Sequence, residues 1–270
     1  KDHQLLTING LHMNVGTIAR IKGTALAGIA LLYLSLTEMY FLSMLTYIFI
    51  FCTTFFLQIE EERVSIPKGK QSAGFKEVWP MLKTSPVVLM GLLLLIVPTL
   101  FLGSFNLMVL KIGEIQGDPT TKSWLYTAEG IGFLIGAAMA RRIPERNHAV
   151  HIMLFCSLFM AVSHLSLFFA DMKIPSILSF AIFGTAAGIF FPTAATMFQT
   201  MVQRDMHGRF FSFKGMADRI GFQIVLVTAG LFLDTIGFKY MVLTFGGISL
   251  MMVILFMMNM KKMSVEQKYT

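Results

Sequence analysis

Long apolar runs dominate this chain, and only short polar or charged gaps separate them. The runs cover about 7–34, 39–57, 87–110, 124–140, 150–170, 176–198, 210–233 and 240–260. A transmembrane helix needs about 20 predominantly apolar residues, so the pattern predicts eight transmembrane helices. A soluble domain of 270 residues, 55% of them hydrophobic, could not bury that much apolar surface. We therefore expect an all-α integral membrane protein.

The net charge of +7 comes from the gaps between the runs. Lys and Arg collect in alternate gaps, and such gaps face the cytoplasm. On the basic side lie Arg63, Lys68, Lys70, Lys76, Lys83, Arg141, Arg142, Arg146, Arg204, Arg209, Lys214, Arg219, Lys261, Lys262 and Lys268. The other side carries only Lys111, Lys122, Lys173 and Lys239. This asymmetry predicts a cytoplasmic C-terminus and does not call for a nucleic-acid partner.

The longest polar gap, 58–86, divides the chain. It is acidic and then rich in Lys and Gly, and it ends in a short amphipathic stretch at 75–83. This composition predicts a flexible linker followed by an interfacial helix. We expect two spans in 1–57, a cytoplasmic linker in 58–86, a six-helix bundle in 87–260 and a cytoplasmic tail in 261–270.

A dense charged segment, 198–221, precedes and enters the seventh span. Read as a helix, it places Asp205 four residues before Arg209 and Lys214 four residues before Asp218, which predicts two local ion pairs. Its Phe and Met residues suit the lipid boundary while the charges face water or headgroups. RNA binding by interleaved basic and aromatic residues is the alternative interpretation.

Three segments resemble signatures of the major facilitator superfamily of transporters. Segment 199–212, with the pattern QxxVxxxxxGRxxS, is similar to the loop between helices ten and eleven of its macrolide-efflux and enterobactin-exporter branch. Segment 20–28, RxxGTxxAG, resembles the fifth-helix pattern RxxGPxxGG of that branch, with Thr24 and Ala27 as departures. Segment 136–142, GxxxARR, resembles the loop between helices eight and nine, with Ala140 in place of Asp.

The resemblance implies that the chain corresponds to helices five to twelve of twelve, without the four N-terminal helices. The first two spans would then be the last helices of the N-terminal bundle. It further implies a bacterial inner-membrane protein, monomeric at full length, that exports drug-like or siderophore-like amphipathic compounds by alternating access and proton antiport. Helices that rock about a midplane site are the general mechanism of such transporters.

Polar residues inside the spans are the candidates for coupling or substrate contact, because a charge in hydrocarbon is costly. Glu129 is the sharpest, since a carboxyl held neutral by desolvation would release its proton when water enters. The alternative is a glutamate at the mouth of the bundle that is solvated or paired with Lys122 or Lys111. The other candidates are Arg20, Lys22, Asn106, His164 and Gln223.

Two further sets of residues have expected roles. The cytoplasmic gate candidates are Arg141, Arg142, Arg209, Asp218 and Arg219. Small residues at four-residue spacing let helices pack closely, and a proline can bend a helix. The helix-packing set is Gly132, Gly136, Gly184, Gly188 and Pro192.

Enzyme chemistry finds little support in the sequence. It has no hydrolase, zinc-protease or nucleotide-binding motif, and Cys52 and Cys156 lie inside apolar runs. We therefore expect no cofactor and no metal. The partners expected are the lipid bilayer, a small-molecule substrate and protons. Two alternatives stay open: a truncated, non-transporting scaffold or remnant, and an intramembrane lipid-modifying enzyme.

Overall fold

The structure, a computed structural model, describes residues 34–55, 77–118, 120–142 and 149–269, together with positions 15, 19, 23 and 30. These ranges contain helices and no strand, which confirms the predicted all-α class. The α-helices within them are α1 (Leu36–Thr54), α2 (Val78–Thr84), α3 (Pro86–Leu94), α4 (Ile96–Gln116), α5 (Thr120–Ala140), α6 (Ala149–Ser166), α7 (Lys173–Met201), α8 (His207–Thr235) and α9 (Phe238–Tyr269). Short 3₁₀ turns occupy Leu167–Phe169 and Arg204–Met206.

Six helices in the described ranges are long and apolar enough to cross a membrane. They are Thr37–Thr54, Pro86–Gln116, Ala149–Phe169, Lys173–Met201, Arg204–Thr235 and Phe238–Met258. Each coincides with one predicted span. The span predicted at 124–140 is also a helix, α5, but it is not among the six, since it carries Glu129 and several glycines. The span predicted at 7–34 lies almost entirely outside the described residues.

The chain divides into two compact units, one of which is Ile18–Ala73. Within that unit α1 begins with a capping box: the Glu38 N–H donates to Ser35 Oγ at 3.3 Å, and the Ser35 N–H donates to the Glu38 carboxylate at 2.7 Å. These bonds satisfy donors that a helix start otherwise leaves free. Downstream, apolar side chains such as Tyr47 and Phe49 are exposed around the helix. A helix that is apolar on every side suits a lipid environment.

The second unit, Lys1–Thr17 with Gly74–Thr270, contains α2 to α9. Its first predicted span is divided into α3 and α4 at Leu95. The division follows from Pro98, which has no N–H to donate to the Leu94 carbonyl. Gly117 ends α4 with φ +61°, and Gly237 lies between α8 and α9 with φ +80°. Both positions need the left-handed conformation that glycine adopts without strain.

Helix packing in this unit surrounds a core of aromatic rings. Helix α5 packs along α7, α6 contacts both α7 and α9, and α4 packs along α8. The Phe101 ring stacks on Phe183 with centroids 3.7 Å apart, and Phe105 meets Phe180 edge-on at 5.1 Å. All four side chains are buried. The core therefore joins α4 to α7 through rigid ring contacts.

Candidate functional site

Four glycines bring the backbones of α5 and α7 into direct contact. They are Gly132 and Gly136 on α5 and Gly184 and Gly188 on α7. A Cβ at any of these positions would overlap a backbone carbonyl oxygen of the facing helix. The oxygens belong to Ala181, Thr185, Glu129 and Phe133, respectively. Because the partners advance together along both chains, the two helices run parallel. We call this contact the glycine seam; Pro192 is buried on α7 one turn beyond it.

Glu129 lies on the glycine seam and is only 2% exposed. Its backbone oxygen faces Gly184, and it is nine residues after Thr120, where α5 begins. Counted from Trp124, where the predicted span begins, Glu129 is about 8 Å along the helix at 1.5 Å per residue, inside the apolar part of α5. This burial argues against a solvated glutamate, and the alternative of a glutamate paired with a lysine stays open. Lys111 bonds Glu114 at 2.9 Å.

Asn106 of α4 and Tyr126 of α5 meet across the helix interface. The Tyr126 hydroxyl donates to Asn106 Oδ1 at 2.7 Å, and its ring lies 5.4 Å from that of Phe105. Both residues of the pair are exposed. Tyr126 was not among the residues predicted from sequence, although a hydroxyl inside an apolar span was a usable signal. It lies three residues before Glu129, on the same face of α5.

Gln223 lies on the exposed face of α8. Helix α8 is held against α4 at Gly103, where an added Cβ would lie 2.7 Å from the Val225 side chain and 3.2 Å from the Phe222 carbonyl oxygen. Asn106 is one turn beyond Gly103 on α4. The structure thus places the two amide side chains, Asn106 and Gln223, on neighbouring helices with exposed faces.

His164 of α6 lies elsewhere, inside the aromatic core. It is 1% exposed, and its ring meets Phe101 edge-on at 5.0 Å and Phe245 at 6.0 Å. Within the described part of the chain, Nε2 has no hydrogen-bond partner. His164 is therefore part of the packed aromatic core, whereas Asn106 and Gln223 are exposed.

Most gate candidates lie at the end of the bundle where α5 ends and α8 begins, which we call the basic end. There Arg209 Nη1 bonds a carboxylate oxygen of Glu77, at the start of α2. The predicted Asp205–Arg209 pair is therefore wrong, because Asp205 lies in the 3₁₀ turn before α8 begins and helical spacing does not hold across that junction.

The second predicted pair at the basic end is present, since Lys214 Nζ donates to Asp218 at 2.6 Å. Arg142 and Arg219 are exposed. Arg141 Nε is buried without a hydrogen-bond partner among the described residues. Arg20 and Lys22 lie outside the described residues, so the structure places neither of them.

The opposite end of the bundle is tied by bonds between loops. Lys173 Nζ donates to Asp118 at 2.7 Å, Lys239 pairs with Asp171 at 3.0 Å, and Gln116 donates to the Ala170 carbonyl at 2.6 Å. The Lys173 bond, helped by two bonds from Thr120, lowers the pKa of Asp118 from 3.8 to about 2. The Lys239 bond likewise lowers the pKa of Asp171. Both aspartates stay charged at physiological pH.

Among the described residues no three His, Cys, Asp or Glu side chains are grouped to hold a metal ion. The polar groups within the spans include a buried carboxyl, Glu129 of α5, and an exposed pair, Asn106 of α4 with Tyr126 of α5.

Comparison with known proteins agrees with this architecture. The family model described as Major Facilitator Superfamily matches residues 99–268, which is more than half of the chain. A comparison with curated proteins found no match.

Proposed function

The chain belongs to the major facilitator superfamily, and on that premise we propose that it exports amphipathic small molecules by alternating access, in exchange for protons. Members of this family are multi-pass membrane transporters rather than enzymes. The resemblance of segments 20–28 and 199–212 to the macrolide-efflux and enterobactin-exporter branch supports a drug-like or siderophore-like substrate. It also supports a bacterial inner-membrane location and a monomer, and the excess of Lys and Arg in alternate gaps supports a cytoplasmic C-terminus.

The observation that carries the coupling step is the burial of Glu129. A charged carboxylate away from water is costly, so uptake and release of a proton depend on which side of the membrane has access to the group. An alternating-access transporter changes that access in every cycle. The glycine seam holds the backbone of Glu129 against α7, so a shift of either helix changes the surroundings of the carboxyl directly.

The polar faces of α4 and α8 support the substrate step. Asn106 and Gln223 are exposed in a unit whose surface is otherwise rich in apolar side chains. Ligand sites combine apolar walls with a few placed polar groups. We assign the substrate to these faces and the gate to the basic end, where Arg209 ties α8 to α2 through Glu77.

The test is dye export from a bacterial host deleted for its main drug exporters and expressing the protein at full length. Nile red, a neutral amphipathic dye, is the probe. Wild-type cells should retain less dye than empty-vector cells, and an uncoupler of the proton gradient should remove the difference. Glu129→Gln should abolish export because it keeps the shape of the side chain but cannot carry an exchangeable charge.

The matched control is Glu114→Gln, which alters an exposed carboxylate on α4 and should leave export intact. Dye retention equal to empty-vector cells in the wild type would overturn the export proposal. Export that persists in Glu129→Gln would remove Glu129 from the coupling step and leave export standing.

A further inference from the structure

The hydrogen bond between Tyr126 and Asn106 determines which end of the amide is available to a ligand. An asparagine amide has one acceptor oxygen and a nitrogen with two donor hydrogens. The Tyr126 hydroxyl donates to Asn106 Oδ1 at 2.7 Å, which uses one of the two lone pairs of that oxygen and turns the oxygen toward Tyr126. Among the residues that the structure describes, none bonds the amide nitrogen. Asn106 therefore presents donors at an exposed position of α4.

The depth of Asn106 makes those donors significant. It lies inside the predicted span 87–110, five residues before Lys111, which corresponds to about 8 Å at 1.5 Å per residue. Asn106 is therefore in the hydrocarbon-spanning part of α4, nearer one end than the middle of the core. At this depth an amide nitrogen without an acceptor is costly, so the pair is suited to receive an acceptor from a bound molecule.

The aromatic side chains around Tyr126 indicate which kind of group the bound molecule carries beside its hydrogen-bond acceptor. The Tyr126 ring lies against Phe105 at 5.4 Å, and Phe105 belongs to the rigid aromatic core through Phe180. The ring that carries the Tyr126 hydroxyl therefore packs against the aromatic core through Phe105. An aromatic or apolar body can rest on the exposed edge of Tyr126 while a polar atom reaches Asn106.

We infer that Asn106 selects substrates with a hydrogen-bond acceptor, a carbonyl or ether oxygen attached to an apolar or aromatic body. Tyr126 is the positioning residue that keeps the amide nitrogen turned toward the substrate. This rests on the proposed function, and it specifies the substrate class at the same site. Without the hydroxyl the amide is free to turn either end outward, and the preference for acceptors over other groups weakens.

The test compares two probes of nearly equal shape, 2-acetylanthracene and 2-ethylanthracene, of which only the first has a carbonyl acceptor. Saturable binding is measured with the full-length protein in lipid nanodiscs, and empty nanodiscs give the partition background. The wild type should bind the acetyl probe roughly two- to tenfold more tightly than the ethyl probe, the range expected for one hydrogen bond.

Three variants give the contrast. Asn106→Leu should remove the preference by weakening only the acetyl probe, and Tyr126→Phe should reduce it by roughly two- to threefold. Tyr240→Phe removes a hydroxyl from an exposed tyrosine on α9 and should retain the wild-type ratio. The ethyl probe serves as an internal check on folding, because a structural defect weakens both probes together.

The outcomes separate this inference from the transport proposal. Saturable binding of both probes with no preference, or a preference that survives both Asn106→Leu and Tyr126→Phe, overturns the inference and leaves export untouched. If the wild type binds neither probe saturably, the proposed class of amphipathic substrates is wrong, and the inference is overturned with it.

Discussion

The backbone carbonyl oxygen of Glu129 occupies the place where a side chain on Gly184 would begin. The residue that carries the buried carboxyl is thus also a point at which two helices touch through their backbones. Close approach of this kind depends on small residues and gains van der Waals contact along the whole seam. The residue that we propose for proton coupling and a close helix contact therefore share one position in α5.

We predict that Gly184→Ala destabilises the protein by about 1–3 kcal/mol, as overpacking of a tight interior does. The added methyl group meets a backbone oxygen, which cannot move aside as a flexible side chain can. The control is Gly247→Ala on α9, where nothing lies within 4 Å of the added Cβ. Thermal unfolding midpoints in detergent should fall for the first variant only. Equal midpoints would contradict the backbone contact.

The bond between Glu77 and Arg209 should be recoverable by exchange of charges. Either Glu77→Arg or Arg209→Glu alone should lower stability, and the double variant should restore it. Both side chains are more than a third exposed, at 40% and 34%, so the coupling energy should stay below about 1 kcal/mol. A double-mutant cycle on thermal unfolding measures it.

A control variant tests whether the charge exchange between Glu77 and Arg209 is specific to that pair. Arg204 is an exposed arginine five residues before Arg209, and Arg204→Glu should not rescue Glu77→Arg. Rescue by Arg204→Glu as strong as that by Arg209→Glu would mean that only the net charge of the basic end matters, and that α2 is not tied specifically to α8.

The bond between Asp118 and Lys173 predicts a defined dependence on pH. The pKa of Asp118 in the folded protein is about 2, below its ordinary value of 3.8. The charged carboxylate therefore stabilises the folded protein at all pH values above about 4. This stabilisation is lost as the pH falls from about 4 toward 2. The unfolding midpoint of Asp118→Asn should therefore lie below that of the wild type at pH 7 and at pH 5, and the gap should close toward pH 2.

Asp234→Asn is the control for that experiment, since it removes an exposed carboxylate from the end of α8. Its midpoint should follow the wild type throughout the titration. A gap between the wild type and Asp118→Asn that stayed constant down to pH 2 would show that the aspartate acts by its shape rather than by its charge.

The positions of most helices could be predicted from the sequence because lipid demands a continuous apolar run of known length. The runs at 150–170, 176–198 and 210–233 correspond to α6, α7 and α8. Helices α7 and α8 are longer than predicted at both ends, and α6 begins one residue earlier and ends four residues earlier. Two departures from the predicted spans have causes in the local sequence. Pro98 divides one span into α3 and α4. Glu129 and its neighbouring glycines make α5 less apolar than the other spans. The local Lys214–Asp218 pair was also predictable, since four-residue spacing within one helix brings side chains together.

Contacts between distant segments could not be predicted in this way. Arg209 was expected to pair with Asp205 but bonds Glu77, which is 132 residues away in sequence. The four-residue spacing of glycines indicated close packing, but the choice of α7 as the partner of α5 depends on the whole bundle. Tyr126 can orient Asn106 only when α4 and α5 lie side by side, with the two residues at the same depth and facing each other.

The sequence by itself determined that the chain is a membrane-spanning helical protein, because apolar length and charge at the gaps are properties of single segments. The tertiary structure decided that Glu129 is buried, that His164 lies in the aromatic core, and that Asn106 is exposed with its oxygen bonded to Tyr126. The physical reason is that the exposure of a side chain and its hydrogen-bond partners depend on which helix packs alongside. The sequence of one helix does not specify which helix that is.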